Sequence, residues 1–75
     1  MNLIRIFDLD GNEMYSGMAK SQKAYIEELV REGKPLMRAN FKGMPLTHLN
    51  LDGGVFDGAC FDGCDLRGTR AKNAS

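Results

Sequence analysis

The chain has no tryptophan, a single histidine (His48) and only two cysteines (Cys60 and Cys64), so the side chains most used as nucleophile and base are nearly missing. Nucleophilic catalysis needs a base within reach of its nucleophile, and His48 stands well upstream of both thiols. Cys-x3-Cys without a second cluster is no zinc ligand set. Two reduced, structural thiols are expected, with a disulfide or a metal site as the alternative, because small cytosolic domains rarely use disulfides. No glycine-rich loop leads from a strand into a helix, which removes the usual phosphate cradle. The expectation is a protein that is not an enzyme and holds no cofactor or metal.

Charge of one sign is lacking too: ten basic and ten acidic side chains give a formal net charge of zero. That argues against direct nucleic acid binding, or coating of an anionic membrane, by charge alone. MNLIRIFDLDG carries no basic leader and no long apolar run, so neither a signal peptide nor a membrane span is read there, and a cytoplasmic location is expected. With 75 residues the chain has room for one domain, spanning 1–75, whose small core needs outside help.

Three pieces follow in order. Residues 1–18 read as a β-hairpin, since Leu3 to Leu9 are rich in β-formers and run into the turn signal Asp10-Gly11-Asn12. Asp8-Leu9-Asp10-Gly11 resembles the nucleophile motif of the haloacid dehalogenase phosphatases. That family needs a doubly wound domain and further catalytic residues, and neither fits in this length. An EF-hand loop would need its glycine two positions later. Residues 21–33 read as a helix, with Ser21 as N-cap, Gly33 in the left-handed position that ends it and Pro35 beyond. Tyr25, Ile26, Leu29 and Val30 share one face and must be buried, whereas Glu27 and Arg31 are spaced as an exposed i, i+4 pair.

From Ala39 a period of five takes over, which neither a helix nor a strand produces alone. Seven blocks run over 39–73. Their third position reads Phe41, Leu46, Leu51, Phe56, Phe61, Leu66 and Ala71, and their first is small or medium apolar in most copies. Gly43, Gly53, Gly58, Gly63 and Gly68 close five blocks, where a type II turn requires positive φ. These residues resemble the pentapeptide repeat family, whose pattern is Ala-(Asp/Asn)-Leu-x-x. Ala39-Asn40-Phe41 and Cys64-Asp65-Leu66 fit it well, whereas Pro45, Val55, Cys60 and Arg70 depart from it at the polar position. Small phage and bacterial members of that family also begin with a β segment and a helix resembling EELVREGKPL.

The resemblance implies a mainly β fold: a short right-handed quadrilateral β-helix, one pentapeptide per side, capped at its N-terminal end by the β-hairpin and the one α-helix. The expected core is Phe41, Leu46, Leu51, Phe56, Phe61 and Leu66. Residues twenty apart should then stack, placing Phe41 on Phe61, Lys42 over Asp62, Asp52 over Lys72 and Thr47 over Arg67. Seven copies make fewer than two coils and leave the C-terminal end without a lid. There Leu66, Arg70, Ala71 and Lys72 are the candidate contacts of a homodimer; a monomer whose edge is blunted by Arg70, Lys72 and Asn73, or a chain continuing past Ser75, are the alternatives. A second candidate surface is the strip of Val55, Asp57, Cys60 and Asp62, an apolar anchor with an acidic rim. The function expected is a protein-interaction module with a bacterial protein partner, such as a phage-encoded inhibitor or adaptor of a bacterial enzyme in the host cell cytoplasm. The alternatives are a DNA mimic that binds DNA gyrase or another type II topoisomerase, and a self-assembling structural protein. Mimicry needs a long acidic surface, and the repeat acids are balanced by Lys42, Arg67, Arg70 and Lys72.

Overall fold

A computed structural model describes all of residues 1–75. β1 (Asn2–Phe7) and β2 (Glu13–Ala19) form an antiparallel hairpin that sets Ile4 opposite Gly17 and Ile6 opposite Tyr15. Asp8 shapes the connecting loop: its Oδ1 accepts the N–H groups of Asp10 and Asn12, each at 2.9 Å. This side-chain turn is a structural use of the aspartate, and those bonds, Asn12 foremost, hold its carboxyl below the ordinary range.

α1 (Gln22–Arg31) starts where Ser21 Oγ accepts the Ala24 N–H at 3.2 Å. It ends through Gly33 at φ +75°, with the Gly33 N–H donated to Val30 and the Lys34 N–H to Leu29. These two bonds satisfy carbonyls that a helix end leaves open. Tyr25, Ile26, Leu29 and Val30 are buried, as their spacing predicts. The Tyr25 ring lies against Gly17, where a Cβ would come within 2.9 Å of Cε1, so the hairpin and helix meet where β2 carries no side chain. No helix is long and apolar enough to cross a membrane.

Beyond Pro35 the chain returns to itself every twenty residues in a β-helix-like winding. Parallel bridges join Asn40 to Cys60, Pro45 to Asp65 and Asn50 to Arg70. The ladder runs from the Leu36 N–H, donated to Val55, to the Ser75 N–H, donated to Gly54. It therefore joins a first coil, 36–55, to a second, 56–75. The inward register begins at Leu36, five residues and one block before the first expected inward residue, Phe41, and eight side chains from Leu36 to Ala71 occupy the central position. Each block ends with a residue of positive φ: a glycine at five corners, and Arg38, His48 and Asn73 at the other three. Left-handed backbone at a residue bearing a Cβ is costly. In every column of the stack at least one of the two residues is a glycine: Gly58 below Arg38, Gly63 below Gly43, Gly68 below His48 and Gly53 above Asn73. The His48 ring makes the reason visible, because a Cβ on Gly68 would meet its Cδ2 at 2.6 Å.

One apolar cluster runs from the hairpin through α1 into the coils. Phe41 stacks on Phe61 with centroids 5.2 Å apart, and Phe56 meets both rings edge-on. Leu36, Phe41, Leu46 and Leu51 are all buried, whereas burial fades along the second coil: Phe56 is buried, Phe61 half-buried and Leu66 41% exposed. Leu66 is thus a correction to the expected core. It takes the inward position, but no further coil covers it.

The twenty-residue stacking holds, but not every stacked or spaced charge pair forms an ion pair. Lys42 and Asp62 form no ion pair, nor do Glu27 and Arg31. Asp52 accepts the backbone N–H of Lys72 at 2.9 Å and pairs with the Arg70 guanidinium. Thr47 Oγ1 accepts from Lys23 of the helix, and Arg67 turns to Asp65 two residues away. Backbone stacking fixes where Cβ atoms sit, but a long charged side chain at the surface chooses among several partners.

Candidate functional site

The two ends of the coil stack are finished differently. At the N-terminal end, the backbone positions that would donate to a preceding coil are 40, 45, 50 and 55. The Asn40 N–H goes to the Phe7 carbonyl at 2.8 Å, where Asp8 and Ala39 also bridge antiparallel. Position 45 is proline and has no N–H to satisfy. The Asn50 N–H goes to Glu27 Oε2 of α1 at 2.8 Å. Only Val55 keeps an N–H without an acceptor. Pro45 and Glu27 thus belong to the lid, in roles the repeat pattern alone did not reveal.

At the C-terminal end none of residues 1–75 forms a lid. A hollow of about 340 Å³ opens there, floored by Leu51, Phe56, Phe61, Leu66, Ala71 and Ala74, with Thr69 and Ser75 at its edge. Around it the second coil repeats the hydrogen-bonding face that the first coil offers, but with nothing to meet it. The N–H groups of Gly58, Phe61, Gly63, Leu66, Gly68, Ala71 and Asn73 have no acceptor, and the carbonyls of Ala59, Cys64, Thr69 and Ala74 have no donor. Of the residues assigned to this end, Leu66 and Ala71 lie on the floor. Arg70 and Lys72 lie outside it, both engaged with Asp52, one through its side chain and the other through its backbone.

Thr69 departs from the apolar pattern for a structural reason. Seven of the eight corners close with a bond from the fourth turn residue to the first, whereas the corner at 46–49 does not. There the Thr69 hydroxyl accepts the Leu49 N–H and donates to the Leu46 carbonyl, bridging the open corner from the coil below. A threonine in a small-apolar column was the available signal.

The strip of Val55, Asp57, Cys60 and Asp62 lies on the flank, with Val55 36% exposed, both aspartates exposed and Cys60 half-buried. Neither aspartate forms an ion pair, and no hollow separates them. Both thiols are free, and Cys64 Sγ donates to the Phe41 carbonyl inside the stack. No three His, Cys, Asp or Glu side chains are grouped to hold a metal ion. Asp65 is the most perturbed carboxylate: the Arg67 side chain, with the Arg67 backbone N–H, lowers its pKa to about 2. That pair braces the surface between neighbours in sequence.

Comparison with family models matches residues 36–70 to pentapeptide repeats, in eight copies. The match begins at Leu36, the first inward residue of the ladder. Neither the comparison with curated proteins nor that with solved structures gives a match.

Proposed function

Because residues 36–70 of this chain belong to the pentapeptide repeat family, we propose that the protein is a non-catalytic interaction module that binds a protein partner through the open end of its second coil. The coils are read as a right-handed, four-sided β-helix, since parallel strands joined by a crossover are right-handed in nearly all proteins. One observation carries the functional reading: the inward side chains of the second coil, Phe61 and Leu66 above all, are left uncovered around an apolar hollow. Apolar side chains concentrated at the centre, with charged residues outside them, are the usual anatomy of a protein–protein contact. The layout shared with small phage and bacterial family members extends the proposal to an inhibitor or adaptor of a bacterial enzyme.

A second reading places the contact on the flank, favoured by the unpaired Asp57 and Asp62 beside Val55. Affinity capture from bacterial lysate separates the two. Three baits are compared: the native chain, Leu66→Arg, and Asp57→Lys with Asp62→Lys. Leu66 is partly exposed, so the arginine variant is expected to keep its circular dichroism spectrum while losing the partner. The double lysine variant is expected to retain it. The reverse pattern moves the site to the flank, and retention by both variants overturns the proposal.

A further inference from the structure

We infer that the open end is a docking site for the N-terminal edge of another pentapeptide-repeat coil, one that no helix or hairpin covers. This rests on the reading above that the open end is where the protein binds, and it names the partner's chemistry. The ladder inside the molecule has a direction. Nine N–H groups donate toward the C-terminal end, eight from the first coil, Leu36 to Gly53, and one from Phe56 at the start of the second, whereas only Cys60, Asp65, Arg70 and Ser75 donate back. The exposed edge carries the same bias, with its seven unpaired N–H groups against four unpaired carbonyls. An edge of this kind needs a partner richer in acceptors than donors. The structure shows what meets that need one coil earlier: the N-terminal edge of a coil, in the same register.

A second copy of this chain does not supply such an edge. Its own N-terminal edge keeps unpaired carbonyls, but β1 and α1 are fastened across it at Asn40, bonded to Phe7, and at Asn50, bonded to Glu27, and stand where an incoming coil would sit. Two C-terminal ends brought face to face would set fourteen N–H groups against eight carbonyls, leaving at least six donors unpaired in the contact. The rim charges would suit a two-fold pair, because Asp57, Asp62 and Asp65 precede Arg67, Arg70 and Lys72 around the coil. Exposed ion pairs, however, contribute little beside the cost of burying unpaired donors. The hollow points the same way. Phe61 and Leu66 already cover Phe41 and Leu46, and the inward side chains of a following coil would cover them in turn.

The probe is an unlabelled peptide with the sequence of residues 36–75, which keeps the repeat frame and has no lid over its first edge. Amide hydrogen exchange is followed in the isotopically labelled full chain at Phe61, Gly63, Leu66 and Ala71. Excess peptide is expected to slow these four by at least about tenfold, to leave the hairpin loop unchanged, and to have no effect on Leu66→Arg. Because the free peptide need not fold, the same segment is also joined to Ser75, where its first residue continues the twenty-residue register. Two glycines inserted at the junction break that register and are expected to abolish the slowing. Unchanged exchange in both formats overturns the inference. So does a full chain that sediments as a dimer with these amides already protected, since a second copy then occupies the end. Capture through the open end in the lysate experiment, together with unchanged exchange here, removes this inference and leaves the interaction reading standing.

Discussion

The Thr69 hydroxyl stands at the one corner whose turn bond is open, and it satisfies a donor and an acceptor of the coil above it. Valine has nearly the same shape but neither function, so Thr69→Val holds the corner open and leaves the Leu49 N–H and Leu46 carbonyl unpaired. Unpaired groups of this kind cost roughly 1–3 kcal/mol. Thr69→Ala removes the wedge and lets the corner close as the other seven do, so it is expected to be the milder change. Thr69→Ser keeps the bridge and is expected to be within about 0.5 kcal/mol of the native chain. Urea unfolding of the three variants checks the order; an alanine variant less stable than valine would show that the hydroxyl does not hold the corner. His48 works by the same residue-scale logic. It tolerates φ +59° while Gly68 beneath it leaves room for its ring.

At the scale of elements, α1 is fastened to the first coil by two side chains one turn apart, Lys23 on Thr47 and Glu27 on the Asn50 N–H. Glu27→Ala is expected to cost about 1 kcal/mol in urea unfolding, the size of one hydrogen bond to a charged acceptor at a partly open edge. Arg31→Ala is expected to change stability by no more than a few tenths, because Arg31 has no ion pair to lose. Equal losses in both would mean that Glu27 acts through Arg31 and not through the coil. These pairs also mark how far the elements were legible in the sequence. Ser21, Gly33 and the corner glycines act on their own backbone, so spacing alone located them. The block ending at Arg38 escaped notice because a charged residue takes its left-handed corner and Pro35 takes its polar position. The partner of Glu27 was out of reach in principle, since it is a backbone N–H on an element twenty-three residues away. Pro45 looked like a departure from the repeat, and its missing N–H became meaningful only once the first coil had an edge.

For the molecule as a whole, the two coils are joined by a ladder of backbone bonds and by one carboxylate that reaches across it. Asp52 accepts the Lys72 N–H from the coil below, and this bond, with the Arg70 guanidinium, lowers its pKa in the folded chain. A carboxylate with a depressed folded pKa adds stability that is complete above its ordinary value, 3.8, and is lost as pH falls through the folded value. Asp65 is depressed further, to about 2, but its partner Arg67 is two residues away and remains near it after unfolding. Asp52 should therefore govern the link between coil integrity and pH although Asp65 has the larger shift. The melting temperature is expected to be level from neutral pH down to about 4, the ordinary range of the carboxylate, and to fall as the pH is lowered further. Asp52→Asn should lower the neutral-pH melting temperature and flatten that fall, whereas Asp65→Asn should leave most of it in place. Thermal melts of the three chains between pH 2 and 7 measure this directly. If Asp65→Asn flattened the fall and Asp52→Asn did not, the acid sensitivity would lie in the surface brace and not in the contact between coils. Because the open end is built from the second coil but for Leu51 of the first, loss of the Asp52 contact should also weaken partner binding as the pH is lowered.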